Sequence, residues 1–368
     1  MAKQHFLRLG MDNKKMELEN LKVVSAGMVT SLGMDAPTTV AAIRAGLDNF
    51  TMSEFKDTTN EPLVAAPVKI NFSVDTNGYR EGGHEHFIKM CKFAIEECAA
   101  NAGLVLPLPA DIAIFALSDD TRPKSITTII QEMLSDKSIF TPSETRHIQV
   151  FTHGESSCIY ALAAANNYLT KKTYAILLAV DSWLNTSDIE HCLQHRRLNT
   201  SDSATGFIPG EGAAACLLTK SIEHKDEIFV CGLGCAEEPA TLRSDQPVYG
   251  AGLAGAIKSA LQQAGVSAEK IDLRLSDISG EQYFFEEAAY AWARVLRVAS
   301  PADFSHQTIA ANIGHPGCAL GLIIIAYMWQ LLRSNRLKAN YILMHLSSAQ
   351  TTRGAAVFCI KQPFKELK

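Results

Sequence analysis

The chain has 368 residues, 47% of them hydrophobic and 20% charged, with a formal net charge of −5. That length exceeds what one small core needs and suggests two domains or one large duplicated one. The acidic balance and the lack of any Lys/Arg cluster set nucleic acid aside as the main partner, and the composition is ordinarily globular.

Residues 1–20 carry Lys3, Arg8, Lys14 and Lys15 but no long apolar run, so they read as a flexible extension rather than a signal peptide. A short strand is expected over 21–24, then a loop through Gly27 and Gly33, and a helix over 37–45 stopped by Gly46. Residues 57–67 read as irregular. Phe87, Met90, Cys91, Phe93, Ala94 and Cys98 recur at helical spacing and predict a helix over 85–102. A buried strand over 110–117 and a helix over 127–134 follow. Next comes the stretch around which the chain is organised: a short strand over 148–151, a turn at Thr152-His153-Gly154, and an Ala-rich helix over 158–169. A strand that enters a helix through a Gly turn leaves the first helical N–H groups unpaired, a favourable place for an anion or an activated nucleophile. The residue at that turn is Glu155.

A strand over 174–180, a polar loop over 181–204 and a strand over 213–218 complete the first half, and the charged segment 220–227 reads as a linker. The pattern then restarts: strands over 228–232 and 271–278, helices over 249–264, 284–296 and 319–332, and closing strands over 341–345 and 355–360. Alternating strands and helices in both parts predict a layered α/β fold with largely parallel sheets. The division expected is an extension over 1–20, one half over 21–220 and a second over 225–362. The apolar run 319–329 is too short to span a bilayer and reads as a buried helix. Nine cysteines, scattered without metal-type spacing even though Cys231 and Cys235 stand close, read as reduced thiols of a cytoplasmic protein.

Three segments taken together resemble the β-ketoacyl synthases of the thiolase fold: Val23-Val24-Ser25-Ala26-Gly27-Met28, Gly206-Phe207-Ile208-Pro209-Gly210-Glu211-Gly212-Ala213, and Asn312-Ile313-Gly314-His315-Pro316-Gly317-Cys318-Ala319-Leu320-Gly321. The resemblance covers roughly residues 21–362. It implies a five-layered αβαβα architecture from two related halves, a homodimer, and acyl carrier protein or another protein as partner. It implies no cofactor, no metal, no nucleic acid and no membrane span. Its active site is a Cys-His-His set. Glu155 stands in the Cys position and Ser279, before Gly280, in the first His position; His315, 36 positions on (315 − 279), retains the second His. Ala310 replaces the Lys that precedes that His, and Ser348-Ala349-Gln350-Thr351 replaces a Gly-Phe-Gly-Gly loop. Making Cys158 the nucleophile would cost the helix three residues (158 − 155), almost a full turn, so Cys158 reads as a packed thiol.

Condensation needs a thiolate to hold the acyl chain and imidazole donors to stabilise the enolate. Glu155 cannot form a thioester, and Ser279 cannot act as a histidine does near neutral pH. The expectation is a synthase-like protein of bacterial type whose condensing activity is lost and which serves as a binding, partner-subunit or adaptor protein. The alternative is an acyltransferase acting on acyl or malonyl carrier-protein thioesters, by condensation or decarboxylation, in fatty-acid or polyketide synthesis. An ion pair between Glu155 and His315 is the structural reading of that site. Elsewhere His84 and His86 lack a third metal ligand, and His191 and His195, spaced i, i+4, lack an acidic partner. His153 reads as part of the turn or of a dimer contact. Glu211 reads as a buried carboxylate of a structural turn.

Overall fold

Alternation of buried side chains along strands, and apolar faces all around certain helices, stack this chain into layers. The computed structural model describes residues 21–70, 84–119, 126–170, 173–221, 227–296 and 305–361. The extension over 1–20, most of the linker and the His84 side chain lie outside the described residues.

The first half contains β1 (Lys22–Val29), α1 (Ala36–Arg44), β2 (Thr51–Lys56), β3 (Pro62–Ala65), α2 (His84–Asn101), β4 (Ala113–Leu117), α3 (Ile126–Ser135), β5 (Ile148–Phe151), α4 (Ser157–Tyr168), β6 (Tyr174–Ser182), α5 (Thr186–Gln194) and β7 (Glu211–Thr219). The second contains β8 (Glu227–Glu237), α6 (Ala251–Ala264), β9 (Leu273–Ser276), α7 (Gln282–Val295), β10 (Ser305–Gln307), α8 (Ala310–Ile313), α9 (Leu320–Arg333), β11 (Tyr341–Ser347) and β12 (Thr352–Lys361). The expected elements are present. The structure adds β3 and α5 in segments read as irregular or loop-like, and β2, β10 and α8 in segments given no element.

The large sheet runs β10-β9-β11-β12-β8-β1-β7-β6-β4-β5. With the separate β2–β3 hairpin left aside, each lobe contributes five strands and uses them, outward from the centre, as first, fifth, fourth, second and third. The sheet is mixed rather than largely parallel as expected, because its central strands pair antiparallel, and its orientation repeats between the lobes: β4 is parallel to β5 and β6 while β7 is antiparallel to β6 and β1, and β9 is parallel to β10 and β11 while β12 is antiparallel to β11 and β8. The two halves are therefore built alike. They meet where β1 pairs with β8 at Lys22–Phe229 and Val23–Ile228.

On β4, Ala113, Phe115 and Leu117 face the central core, whereas Ile114 and Ala116 face α2. On β12, Ala356 and Phe358 face the centre, and Ala355 and Val357 face α6 and α7. Between the lobes lie α9, buried nearly all around, and α4, buried over its first turns and exposed at Asn167 and Tyr168. Leu322, Ile323, Ile324 and Ile325 of α9 are wholly buried, each worth about 1.5–3 kcal/mol relative to exposure. The order is helix, lobe, helix, lobe, helix: five layers. Gly27 is not the loop residue expected from sequence. It lies within β1, where a Cβ would stand 2.3 Å from the Ala94 carbonyl oxygen of α2. Gly234 does the same for α6 on β8, with the Ala256 carbonyl oxygen at 2.0 Å.

One cysteine expectation is corrected. Cys231 and Cys359 sit on the adjacent strands β8 and β12 and form a disulfide. Seven cysteines remain free, and all but Cys235 are buried.

Candidate functional site

The turn between β5 and α4 is made by Gly154, at φ +56°, and a short 3-10 turn over Gly154–Ser156. It is fixed from several sides. The His153 N–H donates to Ser157 Oγ (2.8 Å), and Ser156 Oγ donates toward the Leu346 and Thr352 carbonyls at 3.3 and 3.2 Å. This seats Glu155 inside the protein, 5% exposed. His315 comes from the other half. Its N–H donates to the Ile208 carbonyl (2.8 Å) and its carbonyl accepts from the Gly210 N–H (3.2 Å). The two glycine-rich segments singled out in the sequence thus hold one another. A Cβ on Gly210 would lie 3.0 Å from the Ile313 carbonyl oxygen.

These elements bring His315 Nε2 to 3.5 Å from Glu155 Oε1, at the outer limit of a hydrogen bond, with His315 itself 4% exposed. His315 Nδ1 accepts the Gly317 N–H at 3.1 Å, so the neutral ring carries its proton on Nε2, toward the carboxylate. Phe207 and Trp183 meet the imidazole edge-on, with ring centres at 5.1 and 6.1 Å. The pair can hold and exchange a proton, but no sulfur stands at the turn to carry an acyl group. Ser279 is half-buried before Gly280 and, among the described residues, makes no hydrogen bond to Glu155 or His315.

Several residues not singled out in the sequence complete the site. Arg197 makes two hydrogen bonds to Glu281, at 2.8 and 2.9 Å, and lies over the rings of Trp183 and Phe207. Burial works to lower the Arg197 pKa, but the Glu281 carboxylate outweighs it and holds the guanidinium charged. Asp277 is buried and accepts the Ser347 N–H at 2.7 Å. Burial, together with the charges of Glu155 and Glu287, pushes its carboxyl well above the usual range. Arg353 pairs with Glu287 and donates to the Ser348, Gln350 and Thr352 carbonyls, which pins the glycine-free loop over the turn. Ala310 is buried at the start of α8.

A cleft of about 560 Å³ opens on the far side of Arg197 and Glu281. His195, Arg196, Arg243, Gln282 and Tyr283 line it, and the Arg197–Glu281 pair is its inner wall. Arg197 lies over the Trp183 and Phe207 rings, and those rings also meet His315.

The remaining candidates have structural explanations. Cys158 is wholly buried in the central core, and burial pushes its thiol far above the reactive range. His153 stacks on Tyr160 with ring centres at 3.9 Å. His86 Nε2 lies 3.0 Å from Glu211 Oε1, and that wholly buried carboxylate also accepts from the Val68 N–H and Ser182 Oγ. His191 bonds Arg243 and packs beside His195.

Neither a protein-family model nor a curated sequence matches the chain. Solved structures do. A chain of the complex AntDE:AntF, a type II polyketide synthase acyl-carrier protein with its ketosynthase bound to the hexaketide, matches at TM-score 0.72 and 14% identity, over 93% of this chain and 99% of that one. The fold is that of the ketosynthases. A ketosynthase in complex with its chain length factor from Xenorhabdus doucetiae matches at TM-score 0.69 and 12% identity, over 94% and 99% of the two chains. A β-ketoacyl synthase from Burkholderia phymatum matches at TM-score 0.68 and 16% identity, over 94% and 100%. These three matches run nearly the full length of both chains, so the five-layered fold derived above is the one this chain shares with them.

Proposed function

We propose that this ketosynthase-fold chain is a non-condensing subunit that acts by binding a protein partner, with Glu155, Ser279 and His315 at the positions of the Cys-His-His set. The observation that carries the reading is Glu155 itself: a buried carboxylate in contact with His315 where acyl transfer needs a thiolate. The Arg197–Glu281 pair adds to it: both residues line the cleft, and Arg197 lies over the two rings that meet His315. Solved chains of this fold include ketosynthases in complex with a chain length factor or an acyl-carrier protein, so a partner role is in keeping with the architecture.

The cleft gives the partner a chemistry. Arg196, Arg197 and Arg243 face one carboxylate, Glu281, which Arg197 already engages. Such a mouth favours an anionic group, and an acyl carrier protein is the candidate partner. The same reading makes the chain a cytoplasmic homodimer of two halves, over 21–220 and 225–362. Its seven free thiols fit a reducing compartment, the Cys231–Cys359 bond being the exception, and among the described residues no helix is long and apolar enough to cross a membrane.

Titration calorimetry with acyl carrier protein tests this. Arg196→Glu and Arg243→Glu should each weaken binding by about tenfold or more, while His315→Ala leaves it unchanged. Turnover of malonyl carrier protein that His315→Ala abolishes would replace this reading with that of a decarboxylase.

A further inference from the structure

At the outer edge of the second lobe, neighbouring strands place groups of one charge type side by side. β10 is three residues long, ends the sheet, and pairs with β9 alone: Ser305–Leu273, His306–Arg274 and Gln307–Leu275. On the other side of β9, His345 of β11 sits opposite Ser276. Leu273 and Leu275 face the central core, as do Met344 and Leu346. Arg274, Ser276, His306 and His345 therefore share the outer face, beneath α7, where Arg274 lies 5.1 Å from the Trp292 ring centre.

His345 is 1% exposed and neither ring nitrogen has a hydrogen-bond partner. Two side chains tie β10 to its neighbours: Gln307 Oε1 accepts from the Tyr327 hydroxyl of α9 at 3.4 Å, and His306 Nε2 lies 2.8 Å from Ser276 Oγ of β9, its ring stacking on His345 with centres 6.1 Å apart. Among the described residues, the charged groups that act on His345 are Arg274 of β9 and His306 of β10. Of the carboxylates on the described elements packed here, Glu287 of α7 is engaged by Arg353 and Ser347, and Asp277 after β9 by the Ser347 N–H. A proton on either imidazole thus adds a second positive charge beside Arg274 in a buried setting.

We propose that His306 and His345, set beside Arg274, form an acid-sensitive latch that fastens edge strand β10 to the sheet and lets go of it as the pH falls. Burial comes first and Arg274 second in depressing both histidines, His306 to about 4. The sign follows. A base whose folded pKa is depressed stabilises the closed state above its unfolded pKa of about 6.5 and loses that stabilisation as the pH drops below it. Opening lets the imidazoles take up protons that the closed latch refuses. β10 runs directly into α8 and the His315 segment, so its release loosens the support of His315.

Hydrogen exchange read by mass spectrometry tests the latch on the intact chain. Protection of peptides over 305–309, corrected for the intrinsic pH dependence of exchange, should fall between pH 7.5 and pH 5. The expected fall is about 30-fold for each histidine that becomes protonable. Peptides over 174–182, in β6, serve as the internal reference and keep their protection. His306→Asn, which keeps a side-chain partner for Ser276, should remove about one histidine's share of the fall, and His345→Gln the other. If His345→Gln does not fold, His306→Asn alone decides. A wild-type protein whose 305–309 segment is equally protected at both pH values overturns the proposal, as does a His306→Asn protein with an undiminished fall.

Discussion

Burial sets the charge state of Asp277. Its carboxyl is enclosed and faces Glu155 and Glu287, and its folded pKa lies well above the usual 3.8. A carboxyl raised in this way stabilises the fold below its unfolded pKa and costs stability as the pH rises toward the folded one. Asp277→Asn keeps an acceptor for the Ser347 N–H and removes that cost. Urea denaturation should show the variant more stable than wild type by about 1–3 kcal/mol at pH 8, with the gain shrinking toward pH 4. A variant equally destabilised at both pH values would mean that Asp277 is ionised and compensated in the folded protein. At this scale the sequence marked the ends of the site but not its wall. Glu155 and His315 sit in stretches with a recognisable turn and glycine pattern. Arg197 and Glu281 lie in segments without periodicity, 84 residues apart, and only the folded chain makes them a pair. Asp277 lay two residues before a candidate position, but its significance depends on enclosure, which composition does not reveal.

Elements with strong periodicity were legible and short or half-exposed ones were not. α2 and α9 show apolar residues at helical spacing, so their extents fell close to expectation. α5 buries only Asp188, Ile189 and Cys192 and was hidden in a polar stretch, although Asn185 caps it by accepting the Asp188 N–H. β10 has three residues, too few for any pattern. Gly27 was misleading because a glycine in a strand marks close approach of a helix backbone as readily as a turn. One element also carries an assembly prediction. β5 ends the sheet, and Ile148 on it is 40% exposed. An uncovered apolar edge pairs readily, and two-fold pairing of β5 would continue the sheet into a dimer. Sedimentation velocity at micromolar concentration should give a dimer, and Ile148→Lys should raise its dissociation constant tenfold or more. A wild-type monomer under these conditions would refute pairing at this edge.

At the scale of the molecule, the described residues form a duplicated scaffold with the Glu155–His315 contact at its centre. Strand order and orientation repeat between the lobes, and α4 and α9 are packed as a scaffold requires. The layered α/β class followed from alternating elements alone, whereas the internal duplication became plain only in the strand order, because side-chain identity between the halves is weak. The Cys231–Cys359 bond was invisible for a related reason: those residues are 128 apart in sequence and become neighbours only when β8 and β12 pair. The central claim is that this scaffold has lost its nucleophile and not merely moved it. Mass spectrometry of the native chain after incubation with an acyl thioester tests that most directly, with Glu155→Cys as the variant able to load weakly. The account predicts no acyl adduct on the wild-type chain. A stable adduct on Cys158 would contradict it.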